Sequence, residues 1–420
     1  MSVQHATRTA TPPEGTTRLI TDEANAIAAA HDAAAEIALL AADPAGRKRI
    51  PHLQSAILAA SGITAAGLPR ELGGIGASIS TIVEIVRIIS AADGGVGQLV
   101  QIHNVMLRGI GRRPAGPLRD RLVKDVLAGK RFGHAAAEVG GKHKFDTKTR
   151  AERDASGRWV VNGAKFYATG SYLAEWISSS ATTEEGSISF IVHRDTPGLV
   201  LEDNWNSFGQ LHSVSGGVRF ENLVLDPEYV TEPGSNPAPA RPERTGLTFP
   251  QVLHAAIDAG IARGALDAVV HYLRNHSNVW IDAEVEKAAQ EPMIIRRIGD
   301  YAVALRVAET LLRDAAALFD EYRAQGQPAE LEDELILSVA TARAKTDHAA
   351  LFIGSDMFSL LGASSSYSKF NLDRFWADAR VHTTHDPIRW RLHHIGNYYL
   401  NGVQPGEYSA AFNRAPVKAG

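Results

Sequence analysis

Near its C-terminal end the chain reads His382-Thr383-Thr384-His385-Asp386-Pro387. Two imidazoles three residues apart can share one face of a helix. An imidazole is the side chain that changes charge near neutral pH, so the pair suits proton transfer, with His385 as the candidate base and His382 beside it. The same spacing could serve a metal. His-x-x-His supplies only two ligands, however, and the nearest third, Asp386, stands where the next helix needs its cap. No metal is expected. His393 and His394 follow further into that helix and read as packing or surface residues.

Something must hold these histidines, and the segments before them show what. Residues 20–130 are Ala-rich, with apolar residues at three- and four-residue spacing, as in "SISTIVEIVRIISAAD", and predict a helical domain. Within it "GLPRELGGIGAS" is a Gly/Pro turn. No strand precedes it and no Lys-Ser/Thr follows, so it reads as a tight interhelical turn rather than a phosphate loop. Over 131–240 five short β-type runs, at 157–170, 175–183, 186–194, 198–209 and 216–230, predict a small antiparallel sandwich or barrel. "TEPGSNPAPARPERTG" (231–246) is a Pro-rich connection. Long amphipathic segments at 249–276, 291–326 and 331–362 then predict a bundle over 241–405. The small-residue spacing Ala259-Gly260, Ala262, Gly264-Ala265 fits close helix packing, and a last helix should start near Pro387 with Asp386 as its cap. Residues 1–19 and 406–420 read as tails. The fold class is mainly α with a central β domain, and no strand–helix alternation supports a doubly wound nucleotide fold.

Composition narrows the function. In 420 residues, 45% are hydrophobic and 21% charged, with a net charge of −4, which carries neither a nucleic-acid footprint nor a polybasic membrane signal. The absence of cysteine removes thiolate nucleophiles, iron–sulfur clusters and cysteine zinc sites. The polar N-terminus has no signal-peptide pattern and no apolar run reaches a membrane span, so a cytoplasmic protein is expected.

Five stretches taken in order carry a resemblance. They are "GLPRELGGIGASISTIVEIVRIISAADGGVGQLVQIHN", "AAAEVGG", "WVVNGAKFYATG", "IDAGIARGALDAVVHYLRN" and "LLGASSSYSKFNLDRFWADAR". Together they resemble the acyl-CoA dehydrogenase fold superfamily over roughly residues 20–405, which implies an N-terminal helical domain, a small β-barrel and a C-terminal four-helix bundle. The dehydrogenases of that superfamily place a catalytic glutamate, usually followed by Gly-Thr, just after the "RDAR" stretch. Here Asp386-Pro387 stands at that place. "HTTHDP" instead resembles the flavin-dependent monooxygenases, particularly dibenzothiophene monooxygenase and its sulfone-utilisation relatives.

That branch implies reduced FMN supplied by a separate NAD(P)H:flavin reductase, O2, a C4a-hydroperoxyflavin, and a small organosulfur or aromatic substrate. FAD is the alternative cofactor, although the Gln-Phe-Gly segment of FAD users is missing from "LRNHSNVWIDAEVEK". The resemblance implies a homotetramer. It places Tyr167 and Thr169 at the flavin, with the Thr169 hydroxyl bonding N5 or the peroxide oxygen. His134 stands where relatives carry asparagine, and Trp205 packs on the flavin ring. It puts His103 on the helix closing the substrate pocket. Asn278 stands before the tryptophan near the phosphate, and Ser364, Ser365 and Lys369 lie in a loop meeting a neighbour's phosphate. Two other functions stay open: an acyl-CoA dehydrogenase with FAD and Asp386 as base, and a catalytically inactive scaffold.

Overall fold

The computed structural model describes residues 17–140, 146–232 and 244–405. Residues 1–16 and 406–420 of the expected tails, and 233–243 of the Pro-rich connection, lie outside them. The N-terminal part holds α1 (Glu23–Ala41), α2 (His52–Ala60), α3 (Ile79–Ala92), α4 (Gly94–Gly111) and α5 (Pro117–Leu127). Local chemistry sets the starts of three of these. Asp22 accepts from the Asn25 N–H, Ser78 from Thr81 and Asp93 from Val96, each satisfying an orphan donor of the first turn. In the turn before α3, Gly73 and Gly76 have φ of 88° and 62°, and a Cβ on Gly74 would stand 2.2 Å from the Leu68 carbonyl oxygen. Only glycine permits that approach, so this is the predicted tight turn.

The middle of the chain forms β1 (Phe132–Ala135), β2 (Arg150–Arg153), β3 (Trp159–Lys165), β4 (Trp176–Thr183), β5 (Gly186–His193), β6 (Leu199–Leu201), β7 (Val218–Val224) and β8 (Val230–Thr231). They make one sheet in the order β6-β7-β3-β2-β4-β5-β8, with β1 on β4. Two features differ from expectation. β1 and β2 each pair with β4 in parallel, so the sheet is mixed rather than antiparallel. β1 and β2 lie outside the five predicted runs; they span four residues each, too short to show a period. Inward residues Val161, Ile177, Ile188, Phe190 and Phe220 form the core of this layer.

The C-terminal part holds α6 (Thr248–Asn275), α7 (Pro292–Ala324), α8 (Glu332–Asp356), α9 (Phe358–Leu361), α10 (Asp373–Thr383) and α11 (Ile388–Asn401). α6 runs between α3 and α8 as the central rod. Cβ atoms on Gly260 and Gly264 would lie 2.4 and 2.2 Å from the carbonyl oxygens of Arg87 and Ala91 on α3. The small-residue spacing therefore buys backbone contact, as predicted. The expected cap is corrected. α11 starts after Pro387 with no side-chain cap, because Asp386 is drawn away to Arg391 and to Gln251, whose Nε2 donates at 3.1 Å.

Candidate active site

Between Val252 and Ala262 α6 is otherwise apolar, yet His254 and Asp258, four residues apart, face inward with 5% and 0% exposure. α10 brings His382 to them. Its Nδ1 lies 2.5 Å from Asp258 Oδ1 and its Nε2 2.9 Å from His254 Nδ1. Arg343 of α8, 2% exposed, pairs with the other oxygen of Asp258. A buried carboxylate needs such a counter-charge. Burial first, then the Arg343 and His385 charges, push His382 well below the usual histidine range. Burial, then His385 and His382, do the same to His254. Both shifts favour the neutral ring. The carboxylate fixes the His382 proton on Nδ1, so Nε2 accepts from His254 Nδ1–H. His254 Nε2 is thereby left with a lone pair. The His385 ring, exposed, lies 4.5 Å centroid to centroid from that of His254. The line Arg343–Asp258–His382–His254 thus ends beside His385, an arrangement suited to holding or moving one proton.

The β layer carries the other candidates. Phe166, Tyr167 and Trp205 form an aromatic group with centroids 5.1 to 6.3 Å apart, and Tyr167 is 57% exposed at a left-handed φ of 56°. Thr169, buried, meets Ser215 at 2.9 Å. His134 Nδ1 is buried without a partner, and burial, aided by Lys165, lowers its pKa to about 4. One exposed and two half-buried aromatic rings, with an orphaned ring nitrogen in the same β layer, fit a planar heteroaromatic group such as a flavin.

The loop 202–216 locks this layer to the histidines. The Gln210 N–H donates to Asp378 Oδ1 at 2.6 Å, one turn before His382 on α10, and a Cβ on Gly209 would stand 2.1 Å from the Ala377 carbonyl oxygen. His212 Nδ1 lies 2.6 Å from Asp93. Burial opposes its charge, but Asp93 outweighs that and raises it to about 9. Asp378 rises to about 6 through burial and then Asp93.

The structure therefore gathers His382 and His385 on the helical side, and His134, Tyr167, Thr169 and Trp205 on the β side. The remaining candidates fall elsewhere. His103 is a correction: its Nε2 meets the Thr64 carbonyl at 2.8 Å and its Nδ1 accepts from the Phe132 N–H at 3.2 Å. With both nitrogens used and no exposure, it ties α4 to β1 and has nothing left for a substrate. Ser365 is a second correction, buried at 2% with its hydroxyl donating to Gly362. Ser364 meets Tyr272 at 2.9 Å, Lys369 sits over Phe370, and Asn278 is exposed. Tyr272 lies 18 residues beyond His254 on α6, about 27 Å along the helix. A cavity of about 2010 Å³ between α1, α3, α6, α7 and α10 reaches Lys369 but none of the gathered residues, and ion pairs such as Arg263–Glu309 line it. Sequence reasoning missed His254, Asp258, Arg343, Ser213 and Ser215. The signal for the first two was a His/Asp pair at one-turn spacing in the otherwise apolar stretch 252–262. Among the described residues no group of three or more His, Cys, Asp or Glu is placed to hold a metal.

Comparison with known proteins places this geometry. The family model for acyl-CoA dehydrogenase, C-terminal domain, matches residues 252–390. Dibenzothiophene monooxygenase of Rhodococcus erythropolis is 31% identical over 363 residues, covering 83% of this chain and 86% of that one. A Pseudomonas putida protein named "Probable FMNH2-dependent monooxygenase SfnC" is 26% identical, covering 90% and 96%. The crystal structure of TdsC from Paenibacillus sp. A11-2 with FMN and indole superposes with a TM-score of 0.84 at 26% identity, covering 91% and 98%.

Proposed function

We propose that this chain, which belongs to the flavin-dependent monooxygenase branch of the acyl-CoA dehydrogenase fold superfamily, transfers one oxygen atom from O2 to a small organosulfur or aromatic substrate. Reduced FMN, delivered by a separate flavin reductase, supplies the oxygen activation, as a C4a-hydroperoxide in this reading. FMN is favoured over FAD by the SfnC relative's name and by the FMN bound in TdsC.

One observation carries the proposal: two imidazoles, His382 and His385, occupy the end of α10 and the turn after it, where a dehydrogenase needs a free carboxylate. Asp386 is paired with Arg391 and Gln251. Such pairing stabilises the anion and weakens it as a base for an α-carbon. His385 takes or returns the proton, and the buried line behind it holds the neighbouring rings in one tautomer. On the β side Trp205 and Tyr167 shield one face of the flavin from water, and His134 donates or accepts at its edge. Thr169 meets N5. The 27 Å along α6 that separates His254 from the Ser364–Lys369 loop is too far for one FMN, so that loop serves the cofactor of a second copy, within a homotetramer. No described helix is long and apolar enough to cross a membrane, and a cytoplasmic placement belongs to the same proposal.

The test is a mixing experiment. Protein loaded anaerobically with FMNH2 is mixed with oxygen-18 gas and a panel of thioethers, sulfoxides and indoles. The expected product carries one labelled oxygen. Reduction of a dye by acyl-CoA thioesters without oxygen, and no label in any product, overturns the proposal in favour of the dehydrogenase; no flavin binding at all points to the inactive scaffold.

A further inference from the structure

Behind Thr169 runs a chain of three hydroxyls whose proton order is decided by its far end. Ser213 Oγ donates to the Gln210 carbonyl oxygen at 2.7 Å. A carbonyl only accepts, so the single Ser213 hydroxyl proton is committed there. The Ser213–Ser215 contact of 2.8 Å must then use the Ser215 proton, and the Thr169–Ser215 contact of 2.9 Å must use the Thr169 proton. Exposures of 0% for Ser213, 4% for Ser215 and 9% for Thr169 leave little water to break the order. The far end is itself pinned: the Gln210 oxygen also accepts from Trp205 Nε1 at 2.9 Å. The turn that aligns the serines holds Gln210 and Val214 at left-handed φ of 53° and 41°, a strain that persists only where packing enforces it.

We propose that Ser213 and Ser215 are positioning residues that hold the Thr169 hydroxyl as a hydrogen-bond acceptor, so that the site selects reduced over oxidised flavin. Reduced flavin carries a hydrogen on N5, which Thr169 can accept. Oxidised flavin offers only a lone pair there, and would face another lone pair in a buried site. The inference rests on the proposed reading that Thr169 meets N5. Its consequence suits an enzyme fed by a separate reductase: the reduced cofactor is retained and the oxidised one is let go.

The test is a pair of titrations, oxidised FMN in air and FMNH2 under argon, on wild type, Ser213→Ala and Ser215→Ala. Wild type is expected to bind the reduced form at least roughly tenfold more tightly. Ser213→Ala frees the Ser215 proton to turn toward Thr169, whose own proton can then reach N5; Ser215→Ala frees it directly. Both variants are expected to lose most of the preference by tightening on oxidised FMN. Thr169→Ser, which keeps the hydroxyl, retains the preference. A purely structural role would weaken both forms together and leave their ratio unchanged in both serine variants, and that result overturns the inference. Wild type binding both forms equally overturns it too while leaving the oxygenase proposal standing. Binding of neither form sinks the oxygenase proposal and this inference with it.

Discussion

Replacing Asp258 by Asn separates what the buried line does for stability from what it does for chemistry. The amide keeps the shape of the carboxylate but removes its charge. Arg343, 2% exposed and lowered by burial only to about 10, stays protonated with its paired carboxylate gone. Breaking a buried pair in this way costs about 3–5 kcal/mol. Asp258→Asn/Arg343→Met removes both charges at similar volume, and should recover most of that loss in chemical denaturation, because the penalty belongs to the stranded cation. Turnover should not recover. Without the carboxylate, His382 Nδ1 is no longer held as the donor, so the tautomer of His254 is no longer set; a comparable loss of tautomer control in serine proteases lowers kcat by about four orders of magnitude. We expect at least a hundredfold loss of oxygenated product in both variants, with flavin binding retained. Wild-type turnover in Asp258→Asn would refute the relay, and a double variant no more stable than the single one would refute the electrostatic account of the pair.

His385→Ala should keep flavin binding and lose about a hundredfold or more in product formation; unchanged turnover removes His385 from the mechanism. His103, held near pKa 4 first by burial, does not protonate in the fold until well below the unfolded value of about 6.5. Its contribution is therefore fully present above pH 6.5 and lost as pH falls toward 4, about 2 kcal/mol by pH 5. Denaturant midpoints at pH 7 and pH 5 should converge by about that amount in His103→Phe relative to wild type, and an unaltered pH dependence would contradict the assignment. Gly264→Ala pushes a Cβ to within 2.2 Å of the Ala91 carbonyl oxygen, and should lower thermal stability by about 2 kcal/mol or more; a neutral melt would mean that α3 and α6 separate easily.

Local chemistry made much of this protein legible. The three-part order, the long bundle helices, the glycine turn at 73–76 and the small face of α6 all follow from spacing and residue size, which act over a few residues. The histidines at 382 and 385 could be singled out as proton-transfer candidates for the same reason, since imidazole titrates where enzymes work. The strands β1 and β2 were not, because segments of four residues take their conformation from the neighbours they pair with.

The partners of each site residue were decided only in three dimensions. Nothing within α6 announces that His254 and Asp258 meet His382, more than a hundred residues later, or that Arg343 completes the pair. Asp386 left its cap for Arg391, and His103 spent both nitrogens on backbone groups from distant segments. Burial and hydrogen-bond satisfaction depend on everything that surrounds a group, so a sequence can show which side chains are able to carry a proton while the packed fold selects the ones that do.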